Sequence, residues 1–89
     1  MKKKRSQLEV IHDMLSTIQQ KGGHIKPTHL LSKSNLSYAM MNEYLALLKE
    51  RGLVTEQVGE RKEYLITDKG LNYLAEYRRM ATFTEAFGL

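Results

Sequence analysis

The chain has 89 residues, of which 42% are hydrophobic and 27% charged, and its formal net charge is +4. This length allows one domain, and the composition is typical of globular proteins rather than of disordered chains. The absence of cysteine excludes disulfides, thiolate metal sites and cysteine nucleophiles, and it fits a cytoplasmic protein. The sequence contains neither an apolar run long enough to span a membrane nor the apolar stretch of a secretory signal.

The excess positive charge is concentrated at the N-terminus. Lys2, Lys3, Lys4 and Arg5 are consecutive, and the remaining Lys/Arg and Asp/Glu residues are equal in number. We interpret residues 1–5 as a basic flexible tail that follows DNA phosphates. The alternative is a solvated terminus without a partner.

The first half of the chain predicts two helices. Apolar residues between positions 6 and 20 recur at helical spacing, and Ser6 with Glu9 three residues later is typical of a capping box. A glycine pair at Gly22 and Gly23 ends this helix. Residues 24–26 are expected to form a β-bridge or a loop, and residues 28–32 a short second helix.

A third helix is predicted to begin after Ser37, a good N-cap, and to continue to about residue 51. Two β-prone runs, 53–58 and 61–67, follow it and are separated by a glycine-containing turn, which predicts a hairpin. Thr67 or Asp68 then caps a final helix. The face of the third helix expected in the core comprises Met41, Tyr44, Leu45 and Leu48.

This order of elements indicates a winged helix-turn-helix, because two helices joined by a tight turn are followed by a hairpin where a wing belongs. The expected fold class is mainly α with a small β-hairpin (α+β), with a C-terminal dimerisation helix. We divide the chain into the basic tail 1–5, a winged helix-turn-helix domain 6–67 and a C-terminal helix 68–89.

Several strings occur in a characteristic order: NLSY at 35–38, YLALL at 44–48, GL at 52–53 and YLITDKG at 64–70. Over roughly residues 4–80 the chain resembles the small archaeal winged-helix DNA-binding proteins. The resemblance implies a double-stranded DNA partner. It also implies a C-terminal helix that pairs with a second copy in a coiled coil.

The third helix is the expected reading element. Its side opposite the core face presents Asn42, whose amide can pair bidentately with adenine in the major groove. Hydroxyls and helix N-terminal amides suit phosphate contacts. Alternatively, Ser34 and Asn35 only form the turn and Ser37 only caps. The DNA-binding residues expected in this region are Lys33, Ser34, Asn35, Ser37, Tyr38 and Asn42.

Two further groups of residues are assigned to partners. Arg61 and Lys62 follow the wing turn and are expected to contact DNA, although Glu60 and Glu63 beside them also allow an ordinary ion-pair surface. On the last helix, heptad-like spacing predicts a homodimer seam, with Leu71 and Leu74 facing the core instead. The alternative is a monomer that frays after Arg79. The predicted seam consists of Tyr73, Tyr77, Met80 and Phe87.

Other chemistry is not expected. The three histidines match no zinc spacing, and no glycine motif for nucleotides or serine nucleophile motif is present, so we expect no metal, cofactor, small-molecule substrate or enzyme activity. The resulting prediction is a dimeric double-stranded DNA-binding protein, either a transcriptional regulator or a DNA-organising protein, in the cytoplasm on the nucleoid. The competing prediction is a winged-helix module for protein interactions that does not bind DNA.

Overall fold

The computed structural model describes residues 6–88, so the tail predicted at residues 1–5 lies outside the described residues. The expected order of elements is confirmed, with a short strand at the position left open between bridge and loop. The elements are α1 (Gln7–Gln20), β1 (His24–Ile25), α2 (Pro27–Ser34), α3 (Tyr38–Glu50), β2 (Val54–Gln57), β3 (Glu63–Ile66) and α4 (Asp68–Ala86).

Helix α1 begins at the predicted capping box. The Ser6 side chain accepts a hydrogen bond from the Glu9 backbone N–H, and the Glu9 side chain accepts one from the Ser6 backbone N–H, both at 3.2 Å. These bonds satisfy two donors that have no partner within the helix. Gly22 follows the helix with φ 89°, a left-handed conformation that glycine adopts without steric cost.

The turn between α2 and α3 is built by local side-chain chemistry. Helix α2 begins at Pro27, one residue earlier than the sequence suggested, because proline is well suited to the first helical position. Asn35 ends α2 in the left-handed region with φ 58°. Ser37 then caps α3 by accepting a hydrogen bond from the Met40 backbone N–H at 3.2 Å.

The predicted hairpin is part of a three-stranded antiparallel sheet with the order β1-β3-β2. The register places Ile25 opposite Tyr64 and Thr55 opposite Leu65. Strand β1 therefore covers the outer edge of β3 and connects the helix-turn-helix to the wing.

One core lies between the helices and the sheet. Helix α1 contributes its fully buried centre to this core. Helix α3 contributes the predicted face and packs beside β2 and α2, with Tyr44 half-buried at the edge. Leu74 brings α4 into this core, as expected. Leu71 does not lie in the core and is 39% exposed, because the phase of α4 turns Leu74 and Tyr73 toward α1 instead. The most deeply buried residues are Met14, Leu15, Ile18, Leu30, Met41, Leu45, Leu48 and Leu74.

The start of α4 is fixed against the end of α3. The Thr67 hydroxyl donates to the Gly52 carbonyl at 2.6 Å and accepts from the Gly70 backbone N–H at 3.1 Å. Gly70 is buried, and a Cβ atom there would overlap the Leu53 carbonyl oxygen and lie 2.7 Å from Ile66 Cγ1. The close approach of α4 to the sheet thus requires glycine at this position.

We expect Gly70→Ala to destabilise the protein by about 1–3 kcal/mol through overpacking, although alanine is the better helix former. Thermal or urea unfolding measures the change. The matched control is Gly59→Ala, whose added Cβ would meet no atom within 4 Å. A Gly70→Ala protein as stable as the control would contradict the close approach of α4 to Leu53.

Candidate nucleic-acid interface

Helix α3 presents one face to the core and the opposite face to solvent. Burial of Met41, Leu45 and Leu48 leaves Asn42 exposed on the other side. The Asn42 amide makes no side-chain hydrogen bond within residues 6–88. Tyr38 at the start of the helix is 68% exposed. The residues that share this open face, called here the reading face, are Tyr38, Ala39, Asn42, Glu43 and Ala46.

Some side chains of the turn are exposed to solvent, and one packs inside the turn. Lys33 and Asn35 are exposed, and Lys33 has no ion pair among the described residues. Ser34 is only 3% exposed, and its hydroxyl donates to the Leu31 carbonyl at 3.5 Å. The burial of this side chain favours the alternative in which Ser34 forms the turn.

Lys33 and Asn35 border a polar cleft between the turn, α1 and α4, with a volume of about 480 Å³. Arg78 of α4 lines the same cleft and donates a hydrogen bond to the Gln19 side chain at 3.3 Å. The structure thus places a second cation on the cleft that Lys33 borders. Sequence analysis missed Arg78 because nothing in the local pattern connects α4 with the turn.

The two cations of the wing turn, residues 58–62, have different surroundings. Arg61 is exposed and has no ion pair within residues 6–88. Lys62 lies 3.3 Å from a Glu56 carboxylate oxygen and 5.7 Å from the centroid of the Tyr64 ring. The ion-pair alternative therefore describes Lys62, with Glu56 as its partner rather than Glu60 or Glu63.

Glu56 also connects the wing to α3. Its second carboxylate oxygen lies 2.7 Å from Lys49 Nζ, at the C-terminal end of α3. The hydrogen bond from Lys49, assisted by Lys62, holds the pKa of Glu56 below its usual value, and Glu56 in turn raises the pKa of Lys62. One carboxylate thus holds two cations beside the reading face. Sequence analysis missed Glu56 because an ion pair between a helix and a strand leaves no local pattern in the sequence.

The C-terminal half of α4 exposes apolar side chains. Met80 is 51% and Phe87 67% exposed. Both belong to the predicted seam. Leu8 of α1 and Phe83 are exposed as well, and the Phe83 and Phe87 rings lie 4.8 Å apart. The predicted seam omits Phe83 because this residue falls outside the heptad spacing. It omits Leu8 because that spacing concerns α4 alone. We call Leu8, Met80, Phe83 and Phe87 the apolar patch.

The other two predicted seam residues form contacts within the chain. The Tyr73 hydroxyl donates to the Leu8 carbonyl at 3.0 Å, and burial raises the pKa of Tyr73. The Tyr77 ring stacks on His12 with a centroid distance of 4.2 Å. Both tyrosines are half-buried, so they join α4 to α1 and border the apolar patch.

Two kinds of feature are absent from residues 6–88. No helix in this range has both the length and the apolar character to cross a membrane. No group of three or more His, Asp or Glu side chains there is arranged to hold a metal ion.

We expect the Glu56 bridge to stabilise the fold in a pH-dependent way. Because the pKa of Glu56 is lowered on folding, its contribution is present above the unfolded value of 4.5 and disappears as the pH falls through the folded value. The stability advantage of the native protein over Glu56→Gln should therefore shrink on acidification below 4.5. Denaturant unfolding at a series of pH values measures it.

Glu50→Gln is the matched control, since it removes an exposed carboxylate of α3 that has no ion pair among the described residues. Its difference from the native protein should stay nearly constant over the same pH range. Equal pH profiles for the two variants would show that the bridge contributes nothing to stability.

The fold is similar to those of several DNA-binding proteins and regulators. Sso10a-2, a DNA-binding protein from Sulfolobus solfataricus, matches with a TM-score of 0.80 and 21% identity over 93% of this chain and 85% of its own. F93 from STIV, a winged-helix DNA-binding protein, gives 0.75 and 16% over 91% and 92%. A MarR family regulator from Neisseria meningitidis gives 0.67 and 21% over 85% and 56%.

These likenesses confirm the resemblance to small archaeal winged-helix DNA-binding proteins at the level of the fold. No curated protein sequence matches the chain significantly. A family model described as winged helix-turn-helix matches residues 4–85, nearly the whole sequence. The chain belongs to the winged helix-turn-helix family.

Proposed function

We propose that this protein binds double-stranded DNA as a homodimer, with α3 in the major groove, and acts as a transcriptional regulator or a DNA-organising protein. The observation that carries the proposal is the reading face, a fully exposed helix face of small and polar side chains. A face of this kind fits the width of the major groove. Sso10a-2 and F93, which share this fold, are DNA-binding proteins, and this similarity supports the same function.

Phosphate contacts would surround the reading face. Lys33 and Arg61 are exposed cations without ion pairs in the described part of the chain, and Asn35, Ser37 and Tyr38 lie at the start of α3. Backbone N–H groups at a helix N-terminus and cationic side chains are the usual partners of DNA phosphates. Lys62 would join them only by exchanging Glu56 for a phosphate.

The basic tail Lys2–Arg5 would extend this surface. Gln7, two residues beyond it, lines a groove together with Met40 and Glu43 of α3. The chain therefore passes next to the reading helix just where the described region begins. Four cations at this position would add phosphate contacts close to those of α3.

The homodimer would form through the apolar patch. Apolar side chains on α1 and α4 are exposed next to one another and border a groove of about 290 Å³ that also contacts Tyr77. Contiguous exposed apolar surface on a small protein marks an interaction site. A two-fold dimer would present two reading helices to successive half-sites, which raises the effective concentration of the second helix.

A protein-interaction module is the second candidate, and one groove favours it. Met40, Tyr44 and Leu47 line a groove of about 240 Å³ beside α3, together with the polar side chains of Gln7 and Glu43. A partner helix could place apolar side chains there. In that case the protein would show no affinity for DNA.

The test is binding to a labelled mixed-sequence duplex of about 30 base pairs, measured by fluorescence anisotropy over a salt series. We expect affinity to fall steeply with salt, because cations of the protein replace counterions on phosphates. Lys33→Ala and Arg61→Ala should each make the slope of log K against log salt shallower, by roughly 0.9 for each phosphate that the variant no longer neutralises.

Lys33→Arg and Arg61→Lys keep the charge and serve as matched controls, whose slopes should equal that of the native protein. An absence of binding even at low salt would overturn the proposed function. It would favour the protein-interaction module instead.

The dimer is tested separately by sedimentation equilibrium. Met80→Glu places a carboxylate in the apolar patch and should shift the mass from dimer toward monomer, because an unpaired charge is costly to bury. Ala75→Glu is the control, since Ala75 is an exposed residue on a different face of α4. A dimeric Met80→Glu protein would place the seam elsewhere.

A further inference from the structure

The reading face carries no free cation. Helix α3 has a single lysine, Lys49, and Glu56 holds its ammonium group at 2.7 Å. The exposed groups nearest the centre of the face are the Asn42 amide, the Glu43 carboxylate and the alanine methyls. Any contact between α3 and a base would therefore be made by a neutral or an acidic side chain.

This chemistry suits adenine and thymine. Guanine offers two acceptors, O6 and N7, in the major groove and is usually read by arginine or lysine. Adenine offers one acceptor, N7, and one donor, the N6 amino group, and a single amide such as that of Asn42 satisfies both. Alanine methyls form apolar contacts with the thymine methyl group.

We propose that α3 reads A·T base pairs through the major groove, with Asn42 on adenine, and that Glu56 is a positioning residue that withholds Lys49 and Lys62 from the DNA. This inference rests on the proposed function and adds the class of DNA site that the protein selects.

The position of Glu56 explains how both cations are withheld. Its two carboxylate oxygens contact different lysines, one on α3 at 2.7 Å and one after the wing turn at 3.3 Å. Partly exposed ion pairs of this kind contribute modestly to stability. They engage both ammonium groups and neutralise one of the two positive charges beside the reading face, which lowers sequence-independent attraction relative to base readout.

Duplexes that differ in only one groove test the reading mode. We compare three duplexes that have the same order of purines and pyrimidines along each strand. Their base pairs are A·T, G·C or inosine·C, respectively. An inosine·C pair presents the pattern of G·C in the major groove, and it lacks the guanine amino group in the minor groove, as A·T does. We expect the A·T duplex to bind on the order of tenfold more tightly than both others. Asn42→Ala should remove this difference and leave the salt slope unchanged.

The outcomes separate this inference from the proposed function. Equal affinity for the A·T and inosine·C duplexes, with weaker binding to the G·C duplex, would assign the preference to the minor groove and overturn readout by α3. Equal affinity for all three duplexes with a steep salt slope would also overturn it, while DNA binding itself would stand. Failure of every duplex to bind at low salt would overturn the proposed function.

The role of Glu56 is tested with Glu56→Gln. Release of two lysines should steepen the salt slope by roughly 1.8, tighten binding to the G·C duplex and reduce the A·T preference. Glu56→Asp keeps the carboxylate and should restore the native slope. A purely structural role would instead weaken binding to all three duplexes without steepening the slope, and that result would overturn the assignment.

Discussion

The packing of α3 into the hydrophobic core, beside β2 and α2, determines which residues of α3 are exposed to solvent. Met41, Leu45 and Leu48 recur at helical spacing, so their burial turns the opposite side of the helix outward. Truncation of one such buried leucine typically costs about 2–5 kcal/mol, a large share of the stability of a domain this small. The reading face is therefore set by the core rather than by its own interactions. The polar residues of this face are not needed for core packing, so a binding function can determine which residues they are.

The wing and α4 are held to this scaffold by two junctions. At one junction Thr67 donates to Gly52 and Gly70 lies against Leu53, so α4 begins at a fixed point beside the end of α3. At the other, Glu56 connects α3 to the hairpin through charge rather than apolar contact. The first junction orients the helix that carries the apolar patch. The second sets the electrostatic character of the surface between α3 and the wing.

Local features were predictable from the sequence, and features created by contacts between distant segments were not. The caps at Ser6 and Ser37 and the hairpin follow from short-range patterns, and the structure confirms them. The two-residue strand β1 is too short to show alternation, and it exists only because β3 pairs with it. The burial of Ser34 depends on how the turn packs. The crossing of α4 with α1 brings Tyr73 and Tyr77 against α1 and leaves Leu71 exposed, and no local pattern sets that crossing.

In the proposed complex, the reading face of α3 and the wing turn contact the same DNA duplex. The most direct measurement is the change in backbone amide chemical shifts of the isotope-labelled protein on addition of a short duplex. We expect the largest changes at Ala39, Asn42 and Ala46 and around Arg61, with small changes along the exposed side of α4 near Ala75. Changes confined to α4, with none in α3 or the wing turn, would contradict this account.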